Sequence, residues 1–204
     1  MDVGAGTGKL TRQLVPTGAR VIAVEPLDEM RAQLEAAVPR VEVLAGTAEA
    51  LPLEDASADA ITVASAMHWF DVDQALPEFH RVLRPGGGLA SVGNARDLRD
   101  RLQAAVQEII GPYLPQLEDL LEWIPVLEAS PLFGPLETIE ASWEQPLDAE
   151  ALAERIGTIS YVARLPDEER AAVLARIRAL GEAQPQSRFP FRYRTGALAC
   201  YSVS

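Results

Sequence analysis

Lysine is almost missing from this sequence. Lys9 stands alone among 204 residues, and there are only two histidines and one cysteine. The single cysteine, Cys200, excludes an internal disulfide, so a reducing, cytoplasmic setting is the expectation. So few histidines and cysteines make no persuasive zinc site, and no metal ligands are assigned. No Lys/Arg-rich run occurs, and the net charge is −12. Nucleic acid and anionic membrane both need a positive surface, so neither is an expected partner. No apolar run is long enough to span a bilayer, and no signal peptide opens the sequence as given. What remains is small-molecule chemistry. The 48% hydrophobic and 24% charged content is the ordinary balance of a globular protein.

The length fits one domain, and no boundary is placed within residues 1–204. Residues 20–25, 41–45, 60–64 and 89–92 are short apolar, β-branched runs and are expected to be strands. Residues 30–38 and 74–83 have helical spacing, the second stopped by the turn Pro85-Gly86-Gly87-Gly88. Strands alternating with helices predict an α/β fold: a doubly wound, mostly parallel sheet covered on both faces. Beyond residue 96 the pattern turns helical, over 98–121 (interrupted at Gly111-Pro112 and Pro115), 149–156 and 167–180. Residues 136–144 alternate like a half-wet strand, and 191–203 form a late strand or a hairpin around Gly196. Residues 1–95 are read as a cofactor-binding half. Residues 96–204 are read as a helical cover with the last strands, on the substrate side.

The most telling stretch is Asp2-Val3-Gly4-Ala5-Gly6-Thr7-Gly8. A tight turn from a strand into a helix N-terminus needs glycine where backbone must approach a ligand closely. The spacing is G-x-G-x-G. A dinucleotide fingerprint, G-x-G-x-x-G, would need its third glycine at Lys9 or Thr11, so a nicotinamide oxidoreductase is disfavoured. The next acid at a strand end is Glu25, 17 residues beyond Gly8, well placed to accept hydrogen bonds from both ribose hydroxyls.

With these residues the chain resembles the class I S-adenosylmethionine-dependent methyltransferases, type 11 branch. Asp2 to Gly8 is similar to the first motif of that family, and Val24-Glu25-Pro26 with Asp28-Glu29-Met30 to the second. Gly46-Thr47-Ala48-Glu49-Ala50-Leu51-Pro52-Leu53 resembles the adenine-side loop, and Arg81-Val82-Leu83-Arg84-Pro85-Gly86-Gly87 the turn before the fifth strand. The resemblance implies a seven-stranded Rossmann-like sheet and S-adenosyl-L-methionine as cofactor. It implies that Gly4, Ala5 and Gly6 lie along the methionine moiety, with Asp2 holding its amino group directly or through water. Glu25 would bind the ribose, with Pro26 and Met30 near the adenine and Thr47 and Ala48 along its edge; relatives often carry Asp where Thr47 stands. Ser65 and Ala66 would line the methionine end.

The segment Ala66-Met67-His68-Trp69-Phe70-Asp71 looks like the histidine-tryptophan stretch of relatives that include trans-aconitate-type carboxyl methyltransferases. His68 is the candidate catalytic or substrate-contacting residue; its plainer role would be to hold the loop. Trp69 is a substrate-binding candidate that could equally fill core, and Tyr161 is another, for which packing is the plainer role. Arg192 and Arg194 could attract an acidic acceptor or simply form a solvated strand edge. The implied reaction is in-line methyl transfer to a small-molecule acceptor, a carboxylate being one candidate, which would need no base. The sequence begins almost at the glycine loop, so a truncated first strand is expected. The alternative to an enzyme is a non-catalytic remnant or interaction module that keeps the fold.

Overall fold

Short apolar runs make the strands, and their neighbours in sequence supply the helices that cover them. The computed structural model describes residues 1–115 and 121–203. In it β1 (Asp2–Val3) pairs in parallel with β2 (Ile22–Val24) and with β4 (Ala58–Ala64), in register Val3 to Val24 and Asp2 to Thr62. On the far side of β2 lies β3 (Glu42–Leu44), also parallel. With β5 (Leu83–Arg96), β6 (Glu137–Leu147) and β7 (Phe189–Tyr201) they form a seven-stranded sheet of order β3-β2-β1-β4-β5-β7-β6. The alternating pattern predicts its parallel part, and the seven-stranded Rossmann-like arrangement is the one the family resemblance implies. β1 is two residues long, and its Val3 is 1% exposed between β2 and β4.

Helices follow the strands: α1 (Thr11–Leu14) after β1, α2 (Asp28–Ala37) after β2 and α3 (Val72–Val82) after β4. The first turn of α2 carries Asp28 and Glu29, charges that suit the positive end of a helix. The Asp71 carboxylate caps α3 by accepting the Gln74 N–H at 3.3 Å. One expectation needs correction. Extended backbone begins at Leu83, directly after α3, and not at Leu89. Residue Ala58 of β4 faces Leu83 while Ala60 faces Gly88, so the Pro85–Gly88 stretch is an irregularity inside the strand rather than a turn before it. Of the late strand or hairpin expected over residues 191–203, the strand forms: 189–201 are one strand, with no hairpin at Gly196.

The described residues fall into two compact units. The first holds 1–93, 121–139 and 196–203; the second holds 94–115 and 140–195. β5, β6 and β7 each run from one unit into the other. Unit 1 includes α5 (Trp123–Ala129) and a core around Val3, Val24, Ile61, Val63, Phe79 and Val82. Unit 2 consists of α4 (Arg101–Ile110), α6 (Ala149–Gly157), α7 (Ser160–Ala163) and α8 (Asp167–Glu182) with its share of the three strands. Its core is built on Val106, Ile110, Leu152, Ile177 and Phe191. The helix expected over 98–121 is thus α4 followed by a single 3-10 turn at Gly111–Tyr113, and its residues 116–120 lie outside the described ones.

Candidate functional site

The carboxyl ends of β1 to β4 converge in unit 1, where open α/β sheets bind their ligands. The loop after β1 is pinned to β2: the N–H groups of Gly4 and Ala5 both donate to the Val24 carbonyl, at 2.9 and 3.1 Å. Gly4 has φ +65°, and a Cβ there would sit 2.9 Å from the Ala66 Cβ and 3.0 Å from Phe70 Cζ. Only glycine allows this loop to lie against the end of β4. Gly6 has φ +56°, but a Cβ on it would meet nothing closer than Met30 Sδ at 4.0 Å. Its backbone is therefore bare toward open space, a cradle that a side chain would fill.

Glu25 immediately follows β2 and is only 5% exposed. Its Oε2 accepts the Gly6 N–H at 2.8 Å and its Oε1 the Leu27 N–H at 3.0 Å. An ionised carboxylate offers about four acceptor positions, so about half remain for a diol. Arg31 locks the backbone beneath it, donating from Nη1 to the carbonyls of Glu25 and Pro26, each at 2.7 Å, and pairing with Asp28. Pro26 and Met30 are exposed beside it.

After β3, Thr47 is exposed and Ala48 buried. This loop is fastened from α3. The Glu78 Oε1 accepts the Leu51 N–H at 2.7 Å. Arg81 donates to the carbonyls of Leu53 (2.9 Å) and Leu51 (3.3 Å), to Asp55 (2.6 Å) and to both oxygens of Glu78 (2.8 and 2.7 Å). The Arg81 guanidinium holds the Glu78 carboxyl below its ordinary value. Farther along, Glu49 Oε1 accepts the Asp71 N–H at 2.9 Å.

At the end of β4, Ser65 is exposed with φ +52°, a left-handed conformation unusual outside glycine. Its N–H is tied to the Val92 carbonyl at 2.9 Å. Such strain is retained where surrounding structure enforces it, which happens often at functional loops. A 3-10 turn, Met67–Trp69, follows. Here His68 is half-buried, and burial pushes its pKa down, so the ring is neutral near neutral pH. Trp69 is 48% exposed, its ring 4.9 Å from that of His68.

Asp2 lies beneath this surface, 1% exposed. Its Oδ2 accepts the Thr11 hydroxyl at 2.6 Å and its Oδ1 the Thr62 hydroxyl at 3.5 Å. Burial pushes the carboxyl up despite these bonds. Asp2 therefore ties the first turn of α1 to β4, under the glycine loop.

Thus Gly4, Ala5, Gly6 and Glu25 are brought together by hydrogen bonds to the end of β2, with Ala66 close to Gly4, Met30 on the side of Gly6, and Ser65 and His68 on the adjoining loop. Tyr161 is half-buried on α7 in unit 2. Sequence reasoning missed Thr11, Arg31, Glu78 and Arg81. A signal exists for Arg81, since it opens the Arg81–Gly87 motif, although that motif by itself indicates only a turn.

The chain has relatives among the methyltransferases. An uncharacterised methyltransferase of Mycobacterium tuberculosis is 41% identical over 188 residues, which cover 91% of this chain and 74% of that protein. The chain belongs to the S-adenosylmethionine-dependent methyltransferases. Residues 1–91 of this methyltransferase match the family described as "Methyltransferase domain". A methyltransferase-like protein of Schizosaccharomyces pombe is 32% identical over 188 residues, covering 91% of this chain and 73% of that one. Among solved structures, one presented as a type II methyltransferase of Anaeromyxobacter dehalogenans superimposes with a TM-score of 0.69 at 25% identity, over 97% of this methyltransferase and 87% of that chain.

Proposed function

We propose that this methyltransferase binds S-adenosylmethionine across the carboxyl ends of β1 to β4 and passes its methyl group to a small-molecule acceptor. The observation that carries the reading is the Glu25 carboxylate, buried and fixed by Gly6 and Leu27 yet with acceptor capacity left for two ribose hydroxyls. The bare backbone at Gly6 gives the methionine moiety a close approach, and Asp2 acts from below by fixing the loop or by holding the amino group through water. Pro26 and Met30 flank the adenine, Thr47 and Ala48 its edge, and Ser65 and Ala66 the methionine end. The bound sulfonium supplies an activated methyl group. The chain's own task is alignment of the acceptor with that methyl, and positioning of this kind can lower a barrier by roughly 7–11 kcal/mol. A carboxylate acceptor needs no base. Where the acceptor carries a proton, the neutral His68 ring is the group to take it, and Trp69 beside it is the proposed acceptor contact. The acidic net charge fits a small acceptor rather than nucleic acid, and the lone cysteine fits a cytoplasmic setting. Among the described residues no helix is long and apolar enough to cross a membrane.

Calorimetric titration with S-adenosylhomocysteine tests the reading. Glu25→Gln keeps one acceptor oxygen for the loop but loses the charge, and should weaken binding roughly tenfold or more while the protein stays folded. Equal affinity of the folded variant and the wild type would reject Glu25 as the ribose ligand.

A further inference from the structure

Most ion-paired arginines of unit 2 sit on its surface with acids of their own. Arg192 is held by Asp100 at 2.9 Å and Glu144 at 3.5 Å, and Arg194 by Glu140 at 2.7 Å. Arg178 pairs with Glu150 and Arg99 with Asp97. Neutralised in this way, Arg192 and Arg194 are poor magnets for an acidic ligand. Arg96 and Arg155 differ. Both are half-buried, and among the described residues neither pairs with a carboxylate.

Their hydrogen bonds go to neutral groups instead. Arg155 on α6 donates from Nε to the Tyr193 hydroxyl at 3.1 Å, its guanidinium 5.6 Å from that ring's centre. Its Nη1 reaches the Thr158 hydroxyl at 3.4 Å. Arg96 on β5 donates from Nε to the Gln107 side-chain oxygen at 2.9 Å. Tyr193 belongs to β7, the neighbour of β5 in the sheet, and is 5% exposed. Arg96 is close enough to feel both the Tyr193 phenol and the positive charge of Arg155, and burial lowers its pKa. Burial also pushes the Tyr193 phenol up, so it stays protonated. Its oxygen accepts from Arg155, which leaves the phenolic proton to donate.

Two half-buried like charges without a counter-ion are costly. A guanidinium has five N–H donors, and most of those on this pair remain unused. Planar forks of this type match an oxyanion in a bidentate way. We propose that Arg96, Arg155 and the Tyr193 hydroxyl form a binding site for an oxyanion of a small molecule, a carboxylate or a phosphate. All three residues lie within unit 2, and the site does not rest on the methyltransferase reading above.

Trp143 stacks on Tyr193 with ring centres 4.5 Å apart, which makes its fluorescence a reporter. The full chain is titrated with potassium phosphate and, separately, potassium malonate, against potassium chloride at matched ionic strength, by fluorescence and by calorimetry. Saturation by phosphate alone, by malonate alone or by both supports the site and identifies the anion. Arg155→Gln and Arg96→Gln should each weaken saturation roughly tenfold or more, Tyr193→Phe less, and Arg192→Gln not at all. Failure of both anions to exceed chloride with wild-type protein overturns the proposal, and so does wild-type affinity in the folded Arg155→Gln and Arg96→Gln variants. The wild-type titration depends on no variant folding. S-adenosylhomocysteine is titrated into the same preparation: its failure to bind beside a saturable anion would count against the methyltransferase reading alone.

Discussion

Asp2 carries a charge into a place where almost no water reaches it. Its folded pKa is raised, chiefly by burial, so the folded state holds the proton more tightly than the unfolded chain does. The sign follows: ionised Asp2 costs stability at neutral pH, and that cost is relieved as pH falls through the folded pKa. Asn keeps an oxygen for the Thr11 hydroxyl without the charge. Asp2→Asn should therefore be at least as stable as wild type near pH 7, with the advantage shrinking toward about pH 4 in thermal melts. A large loss of Tm at neutral pH would instead show that the charge itself holds Thr11 and Thr62. Ser65 invites a parallel test. With φ +52° it is strained as serine but not as glycine. Ser65→Gly should gain up to about 1 kcal/mol in denaturant unfolding, whatever it does to cofactor affinity. Glu25 and the glycines were readable because their roles follow from a strand end and a turn. Thr11 and Arg31 were not, because their partners, the Asp2 side chain and the carbonyls of Glu25 and Pro26, are set only by how the loops fold back.

Among the elements, the alternation of strand and helix in the first half was readable because the parallel strands are short and mostly apolar. The long strands were harder. β5 begins directly at the end of α3 and passes through Pro85–Gly88, residues whose local preference is for turns. Pairing with β4 overrides that preference, at the expense of a register irregularity. Nor could a single sequence show how the loop after β3 is held, since Arg81 reaches it from α3 across about 30 positions of chain. Arg81→Ala should free the 51–55 stretch and cost about 1–2 kcal/mol, because the side chain is partly exposed. Lysine should not rescue it, being unable to serve two carbonyls and Glu78 together. The pH dependence has a definite sign. Glu78 has a lowered folded pKa, so its stabilising pairing is present above the unfolded value and lost as pH falls through the folded one. The wild-type advantage over Arg81→Ala should be full at neutral pH and fade below about pH 4 in chemical unfolding. An advantage unchanged at low pH would mean that the backbone carbonyls, not Glu78, carry the interaction.

At the scale of the whole molecule, the buried side chains separate into cores that follow the two units. Phe79, Ile61 and Val63 belong to one cluster, and Ile177, Leu152 and Phe191 to another. Each chosen residue is fully buried, so truncation removes many contacts at once: Phe79→Ala should cost about 3–5 kcal/mol and Ile177→Ala about 2–5 kcal/mol. Such losses are a large part of the roughly 5–15 kcal/mol that holds a domain together. Where they are felt depends on whether the units unfold as one. Since no residue is shared between the two clusters, Ile177→Ala should lower hydrogen-exchange protection across α4, α6 and α8 while β1 to β4 keep theirs, and Phe79→Ala should do the reverse. Strands β5 to β7 run through both units, so their amides should respond to either substitution, each half following the core it belongs to. Uniform loss of protection along the whole chain from either variant would show one cooperative unit and reject the separation. The same experiment bears on catalysis. If unit 2 can loosen while the cofactor loops stay protected, Ile177→Ala should keep S-adenosylhomocysteine affinity near wild type even as its own helices exchange faster.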